Sequence, residues 1–254
     1  RRPFVAGNWK MNMTRAQAAE LIAGLRQRVA GKPPIDLAVC PSFVCLVSVA
    51  EAIKGSAFKL GAQNMHFEAN GAFTGEISAE MLLDVGCKYV IIGHSERRHV
   101  FGEPGELLAK KVRTAQKAGL HVIYCVGEKL DERERGQTEA VLERQINEVF
   151  GPDVALGELT VAYEPVWAIG TGHVATPAQA QEAHRFIRSR LASVYNEGLA
   201  SALRIQYGGS VKASNAKELM SQPDVDGALV GGAALKADDF AGIIEATVAA
   251  KGLA

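Results

Sequence analysis

Long apolar runs are missing from this chain of 254 residues. No stretch approaches the ~20 residues that cross a bilayer as a helix, which argues against a helical membrane protein. An excess of either charge is missing as well: 28 lysines and arginines stand against 28 aspartates and glutamates. No block of like charge exceeds a few positions, so nucleic acid and anionic membrane surfaces are poor matches as partners. Cysteines are few. Cys40, Cys45, Cys87 and Cys125 form no CxxC pair and no metal-ligand spacing with a histidine, so buried thiols are expected rather than disulfides or a metal centre. The Arg1-Arg2 pair is followed by no apolar export segment, and RRPFVAGNWK enters a strand-like run at once. A soluble protein of the cytoplasm is the expectation. Pro- or Ser-rich linkers and low-complexity tracts do not interrupt the sequence, which leaves one domain over residues 1–254 as the simplest organisation.

What the chain does have is alternation. Short β-branched runs, FVAGN (4–8), DLAVC (36–40), FKLGA (58–62), YVIIG (89–93), HVIYC (121–125), TVAY (160–163), RIQY (204–207) and GALV (227–230), are separated by longer helical patterns. Helix signals mark the intervals. Thr14 precedes RAQAAELIAGLRQRVA with Gly31 behind it, Gly119 closes ELLAKKVRTAQKA, and Thr176-Pro177 opens AQAQEAHRFIRSRLASVY. Eight β-α units of about 30 residues each predict a parallel sheet closed into an eight-stranded (β/α)8 barrel, of class α/β.

In such a barrel the chemistry sits where strands end and helices begin. Those junctions hold Asn8 and Lys10 after the first run, His94 and Glu96 after the fourth, and Glu164 after the sixth. GGS (208–210) follows the seventh and Gly231-Gly232 the eighth. Either glycine pair alone merely permits a tight turn. Two such turns after the last two strands favour a phosphate site, because backbone N–H groups can approach an anion there. Glu164 precedes Pro165, Val166 and Trp167, side chains that exclude water, and a desolvated carboxylate is a better proton acceptor. His94 is followed by Ser95, which is expected to cap the next helix, and positive dipole density there favours a neutral imidazole able to donate to a carbonyl. Lys10 offers positive charge to an enolate or a phosphate. Singly, His94 also reads as a core histidine, Lys10 as a snorkelling surface lysine, and Asn8 as a turn former.

Five segments, NWK (8–10), GHSERR (93–98), AYEPVWAIGTG (162–172), YGGS (207–210) and VGGA (230–233), resemble the signature segments of the triosephosphate isomerases, in order and over essentially the whole chain. The resemblance implies a TIM barrel that interconverts dihydroxyacetone phosphate and D-glyceraldehyde 3-phosphate through an enediolate, with no cofactor and no metal. Glu164 would be the base, His94 would polarise the carbonyl, and Lys10 would stabilise charge. Asn8 would orient Lys10 and substrate, with Glu96 in support. Gly170, Ser210, Gly231 and Gly232 would grip the phosphate through their N–H groups. Pro165-Val166-Trp167 would be one hinge of a lid and Ala168-Ile169-Gly170-Thr171 its tip. The second hinge would lie at Gly172–Ala175, and Glu128 would be a partner of Trp167. A homodimer also follows from the resemblance, with Met11, Met13, Gln63, Asn64 and Thr74 at the seam and the loop GAQNMHFEANGAFTGEIS (61–78) entering the neighbour.

Four positions depart from the family pattern. Met13 stands where glycine is usual, so a left-handed backbone there would be strained. Ala234 replaces a common serine in the last phosphate turn, His173 a common lysine at the second hinge, and Pro104 alters the FGE segment. Two other functions compete: an inactive barrel that only binds phosphorylated sugars, and an aldolase using Lys10 as a Schiff-base nucleophile.

Overall fold

A strand that is apolar at nearly every position needs cover on both faces, and most of the eight runs above are of that kind. A computed structural model of the chain describes residues 1–29, 31 and 33–253 and shows how the cover is supplied. The strands are β1 (Phe4–Asn8), β2 (Asp36–Cys40), β3 (Phe58–Ala62), β4 (Cys87–Ile92), β5 (His121–Val126), β6 (Leu159–Tyr163), β7 (Arg204–Tyr207) and β8 (Gly227–Val230). They close in chain order into one barrel, each parallel to its neighbours. The helices that follow them are α1 (Arg15–Arg28), α2 (Leu46–Ala52), α3 (Ala79–Asp84), α4 (Ser95–His99), α5 (Gly105–Ala118) and α6 (Leu130–Glu134). After these come α7 (Thr138–Asn147), α8 (Pro177–Val194), α9 (Glu197–Ala202), α10 (Ala213–Met220) and α11 (Ala237–Ala250). This is the TIM-barrel fold. No described helix is long and apolar enough to cross a membrane.

Two apolar layers hold the barrel. Phe4, Ala6, Ala38, Cys40, Tyr89, Ile91, Ile123, Cys125, Ala162 and Leu229 fill its interior, while alternate residues of the same strands pack outward onto the helices. All four cysteines are free and buried. Local signals explain the helix starts: Thr14 and Thr176 accept from the N3 amides of Gln17 and Gln179, and each glutamine side chain returns the bond as a capping box. Gly119 closes α5 at φ 89. The predicted helix of residues 15–30 ends at Ala30, which lies outside the described residues, as does Ala254 at the end of the predicted domain.

Strand edges differ slightly from expectation. β4 starts at Cys87 and stops at Ile92, two residues and one residue earlier than predicted. Gly93, at φ 77, has already left the strand, and Cys87 joins the sheet through a register shift opposite Leu60 and Gly61.

Candidate active site

The C-terminal ends of the strands converge on a cleft of about 1020 Å³ lined by Asn8, Lys10, His94, Glu96, Glu164, Gly170, Ser210, Gly231 and Gly232, among others. Every residue expected to act on or bind substrate therefore faces one space. The cleft is at the upper end of what drug-sized ligands occupy, about 300–1,000 Å³.

Glu164 follows β6 directly and is 2% exposed. Its two carboxylate oxygens are both occupied: Oε1 lies 2.9 Å from His94 Nε2, and Oε2 accepts the Ser95 N–H at 2.8 Å. Burial alone raises a carboxyl pKa, but His94 and the Ser95 amide together lower it below the ordinary value. The expectation that desolvation makes Glu164 a stronger base is therefore corrected for the ligand-free enzyme. There the carboxylate is buried and yet well solvated by protein donors.

His94 itself caps α4, with Nδ1 accepting the Glu96 N–H at 3.2 Å. This corrects the expectation that Ser95 is the cap; the Ser95 amide is free to hold Glu164 instead. A backbone N–H aimed at Nδ1 requires a lone pair there, which puts the ring proton on Nε2, facing the carboxylate. Burial lowers the ring's proton affinity, but the Glu164 carboxylate outweighs it and the pKa is raised. Lys10 also acts against that upward push.

Asn8 ends β1 and is 5% exposed. Its Oδ1 accepts the Lys10 N–H at 3.0 Å, and Gln63 Nε2 donates to the Lys10 carbonyl at 2.8 Å. These bonds hold Lys10 at φ 53, a left-handed conformation that costs a residue with a side chain about 1–3 kcal/mol. The strained turn aims the ammonium into the cleft, where Nζ pairs with Glu96 Oε1 at 2.5 Å. A Schiff-base lysine has to reach its substrate as a free amine; this one is engaged as a cation by a carboxylate.

On the far wall, Gly231 opens a short 3₁₀ turn (Gly232–Leu235) after β8. A side chain at Gly208 would meet Glu164 Cγ at 2.9 Å, so the turn after β7 packs directly against the acid. The Ser210 N–H donates to the Ala168 carbonyl of the lid at 3.1 Å. The segment expected to form a lid runs from Pro165 through a 3₁₀ turn at Val166–Ala168 to the exposed Gly170, Thr171 and Gly172, with both glycines at positive φ. Trp167 Nε1 donates to Glu128 Oε1 at 2.9 Å, an oxygen that also takes Tyr163 and Arg133.

The residues expected at a dimer seam differ in exposure and in their bonds within the chain. Met11 is 94% exposed and Thr74 is exposed, whereas Gln63 holds Lys10 within its own chain and Asn64 Oδ1 accepts from the buried Lys111 at 2.9 Å. Met13 lies at φ 76, which is the strained geometry its substitution for glycine implied. Sequence reasoning missed the Ser95 amide and the bond from Gln63 to Lys10. Both depend on elements far apart in the chain, and no local pattern signals them.

The sequence matches the model of the family described as Triosephosphate isomerase over residues 3–247. The chain is 55% identical to the triosephosphate isomerase of Magnetococcus marinus, with 98% of this chain and 100% of the relative covered. It is 53% identical to that of Carboxydothermus hydrogenoformans, with the same coverage. It is 54% identical to that of Thiobacillus denitrificans, with 97% and 98% covered. The barrel, its order of strands and the likeness along nearly all of its length point the same way: this chain belongs to the triosephosphate isomerase family.

Proposed function

We propose that the protein interconverts dihydroxyacetone phosphate and D-glyceraldehyde 3-phosphate, with Glu164 as base, His94 as hydrogen-bond donor to the carbonyl and Lys10 as fixed positive charge. The observation that carries this reading is the 2.9 Å approach of His94 Nε2 to the buried Glu164 carboxylate, in a cleft shared with Lys10 and two glycine turns. Substrate phosphate takes the N–H groups of Gly170, Ser210, Gly231 and Gly232, and the Ser210 amide gives up its bond to Ala168. That exchange links phosphate binding to lid movement, so contacts remote from the reacting carbons drive the geometry at the reacting end. Glu164 then leaves Ser95 and His94 and removes the proton from the carbon beside the carbonyl. The C–H electron pair becomes the carbon–carbon double bond of an enediolate, and the carbonyl electrons move to oxygen. His94 Nε2–H and the Lys10 ammonium stabilise that oxygen. His94 Nε2 gives its proton to the enediolate oxygen and takes the hydroxyl proton from the other, which becomes the carbonyl as Glu164 returns its proton to the neighbouring carbon. Apolar lid residues exclude water while the enediolate exists.

In this reading the chain is one catalytic domain working in the cytoplasm, and its assembly is a homodimer. Exposed Met11, together with Val44 and Val47 around the start of α2 and Phe73 on the loop of residues 63–78, supplies apolar surface for a second copy. One assay tests the activity. The purified protein is given dihydroxyacetone phosphate with a metal chelator, and aldehyde is followed through a coupled dehydrogenase. Steady turnover is expected, and no signal at micromolar protein leaves only a binding barrel.

A further inference from the structure

His94 and Glu164 follow different strands, yet their spacing is governed by β5, which lies between them. The Glu164 N–H donates to the Val126 carbonyl at 2.7 Å and the Val166 N–H to the Glu128 carbonyl at 3.0 Å. Gly127 lies so close to Glu164 that a side chain there would fall 1.6 Å from the Glu164 carbonyl oxygen. On the other flank, Arg98 of α4 donates through Nε to the Gly93 carbonyl at 3.0 Å, immediately before His94, and through Nη2 to the Cys125 carbonyl of β5 at 3.3 Å. One guanidinium thus spans the ends of β4 and β5.

Tyr124 completes this arrangement. It is fully buried on the outer face of β5, against α7, with its ring under the guanidinium. Its hydroxyl accepts from Arg98 Nη2 at 2.7 Å and donates to the Gln145 carbonyl at 2.8 Å. That carbonyl lies in the last turn of α7, where the Val149 N–H turns to Ile146 instead, so the hydroxyl serves as its cap. The Gln145 side chain in turn brackets Gly127: Oε1 accepts its N–H at 2.7 Å and Nε2 donates to its carbonyl at 3.1 Å. A continuous chain, part-buried at Arg98 and buried beyond it, therefore runs from the His94 turn through Arg98, Tyr124 and Gln145 to the backbone against which Glu164 rests.

We propose that Tyr124 is a positioning residue for the reaction: its hydroxyl, acting through Arg98 and Gln145, sets the spacing of His94, the Ser95 amide and Glu164. The proposal rests on the isomerase reading above. Burial keeps the phenol protonated far above neutral pH, so the hydroxyl remains a donor throughout the working range. Without it, Arg98 loses its shortest acceptor and the Gln145 carbonyl loses its cap. The β4 and β5 ends can then drift, and geometric errors of about 1 Å at reacting groups cost on the order of 10²-fold in rate.

The test compares wild type, Tyr124→Phe, Arg98→Lys and the double variant. Tyr124→Phe is expected to lower kcat about tenfold while KM for dihydroxyacetone phosphate and Kd for inorganic phosphate stay within about twofold. The acid limb of kcat/KM should move to higher pH, because looser Ser95 and His94 donors stabilise the Glu164 carboxylate less. Arg98→Lys should show the same signature, and the double variant should lose no more than the worse single one, since both act through one chain. If Tyr124→Phe does not fold, Arg98→Lys carries the same test. Wild-type kcat and an unmoved acid limb in the folded variant, whatever its Tm, overturn the proposal, as does a loss carried by KM or Kd. A wild-type protein without isomerase activity overturns the underlying reading instead.

Discussion

Replacing Glu164 with glutamine keeps the shape of the side chain and removes the base. Loss of a general base costs about 10²–10⁴ in rate, which is roughly 3–5 kcal/mol of barrier. The structure adds a second expectation. In the ligand-free site Oε1 faces His94 Nε2 and Oε2 faces the Ser95 N–H. A carboxamide has one accepting oxygen, so one of these donors must meet an NH₂ group. His94 cannot adapt by moving its proton to Nδ1, because the Glu96 N–H already points there. One buried donor is left unpaired, at a cost of about 1–3 kcal/mol. For a chain of this size that lowers Tm by roughly 2–12 °C. Phosphate-ligand affinity should stay within about threefold, since the amides proposed to grip the phosphate lie elsewhere, on Gly170, Ser210, Gly231 and Gly232. The coupled isomerase assay, a thermal scan and a phosphate-ligand titration read the three quantities together. A variant keeping more than about a hundredth of the wild-type rate refutes general-base loss on this scale.

Lys10→Met removes the lysine paired with Glu96, and kcat/KM should fall by about 10²–10³-fold; less than tenfold would remove Lys10 from charge stabilisation. At position 13 glycine should make the protein about 1 kcal/mol more stable than alanine in denaturant unfolding, because φ 76 penalises any Cβ; equal stabilities would contradict the strain. Acid should destabilise the fold through two buried histidines. Burial pushes His121 down to about 3, with Arg204 helping, and His184 down to about 4. Both bind a proton more weakly folded than unfolded, where His titrates near ~6.5. Their stabilisation is complete above about pH 6.5 and is lost as pH falls toward 4, by at most about 1.4 kcal/mol per pH unit for each. His121→Gln should flatten that acid limb, and an unchanged slope would contradict the assignment.

The fold was legible because its cues are local. Seven of the eight predicted strands overlap the observed ones to within a residue at either end, and capping residues such as Thr14, Thr176 and Gly119 act where they stand. β4 was misplaced because Gly93 belongs to the turn that presents His94, and because Cys87 pairs through a bulge that no alternation pattern encodes. Within the site, Asn8, Lys10, His94 and Glu164 were readable because a barrel gathers the ends of its strands at one mouth. Hydrogen-bond partners were not. Neither the Ser95 amide under Glu164, nor Gln63 on the Lys10 carbonyl, nor the chain from Arg98 to Gln145 follows from spacing, since each joins elements separated by tens of residues. The state of Glu164 shows the consequence. Its sequence neighbours suggest a dry, strengthened base, whereas two donors from another strand end stabilise its anion.

Proton transfer by Glu164 is tested most directly by running the reaction in D₂O and reading isotope at the newly protonated carbon by NMR. An acid that takes up and returns a proton exchanges with solvent in part of its turnovers. Solvent deuterium in the product of the wild-type enzyme, and its loss together with turnover in Glu164→Gln, is the predicted result. Product formed at full rate by wild type and wholly free of deuterium would mean that hydrogen passes between the carbons without visiting an exchangeable group.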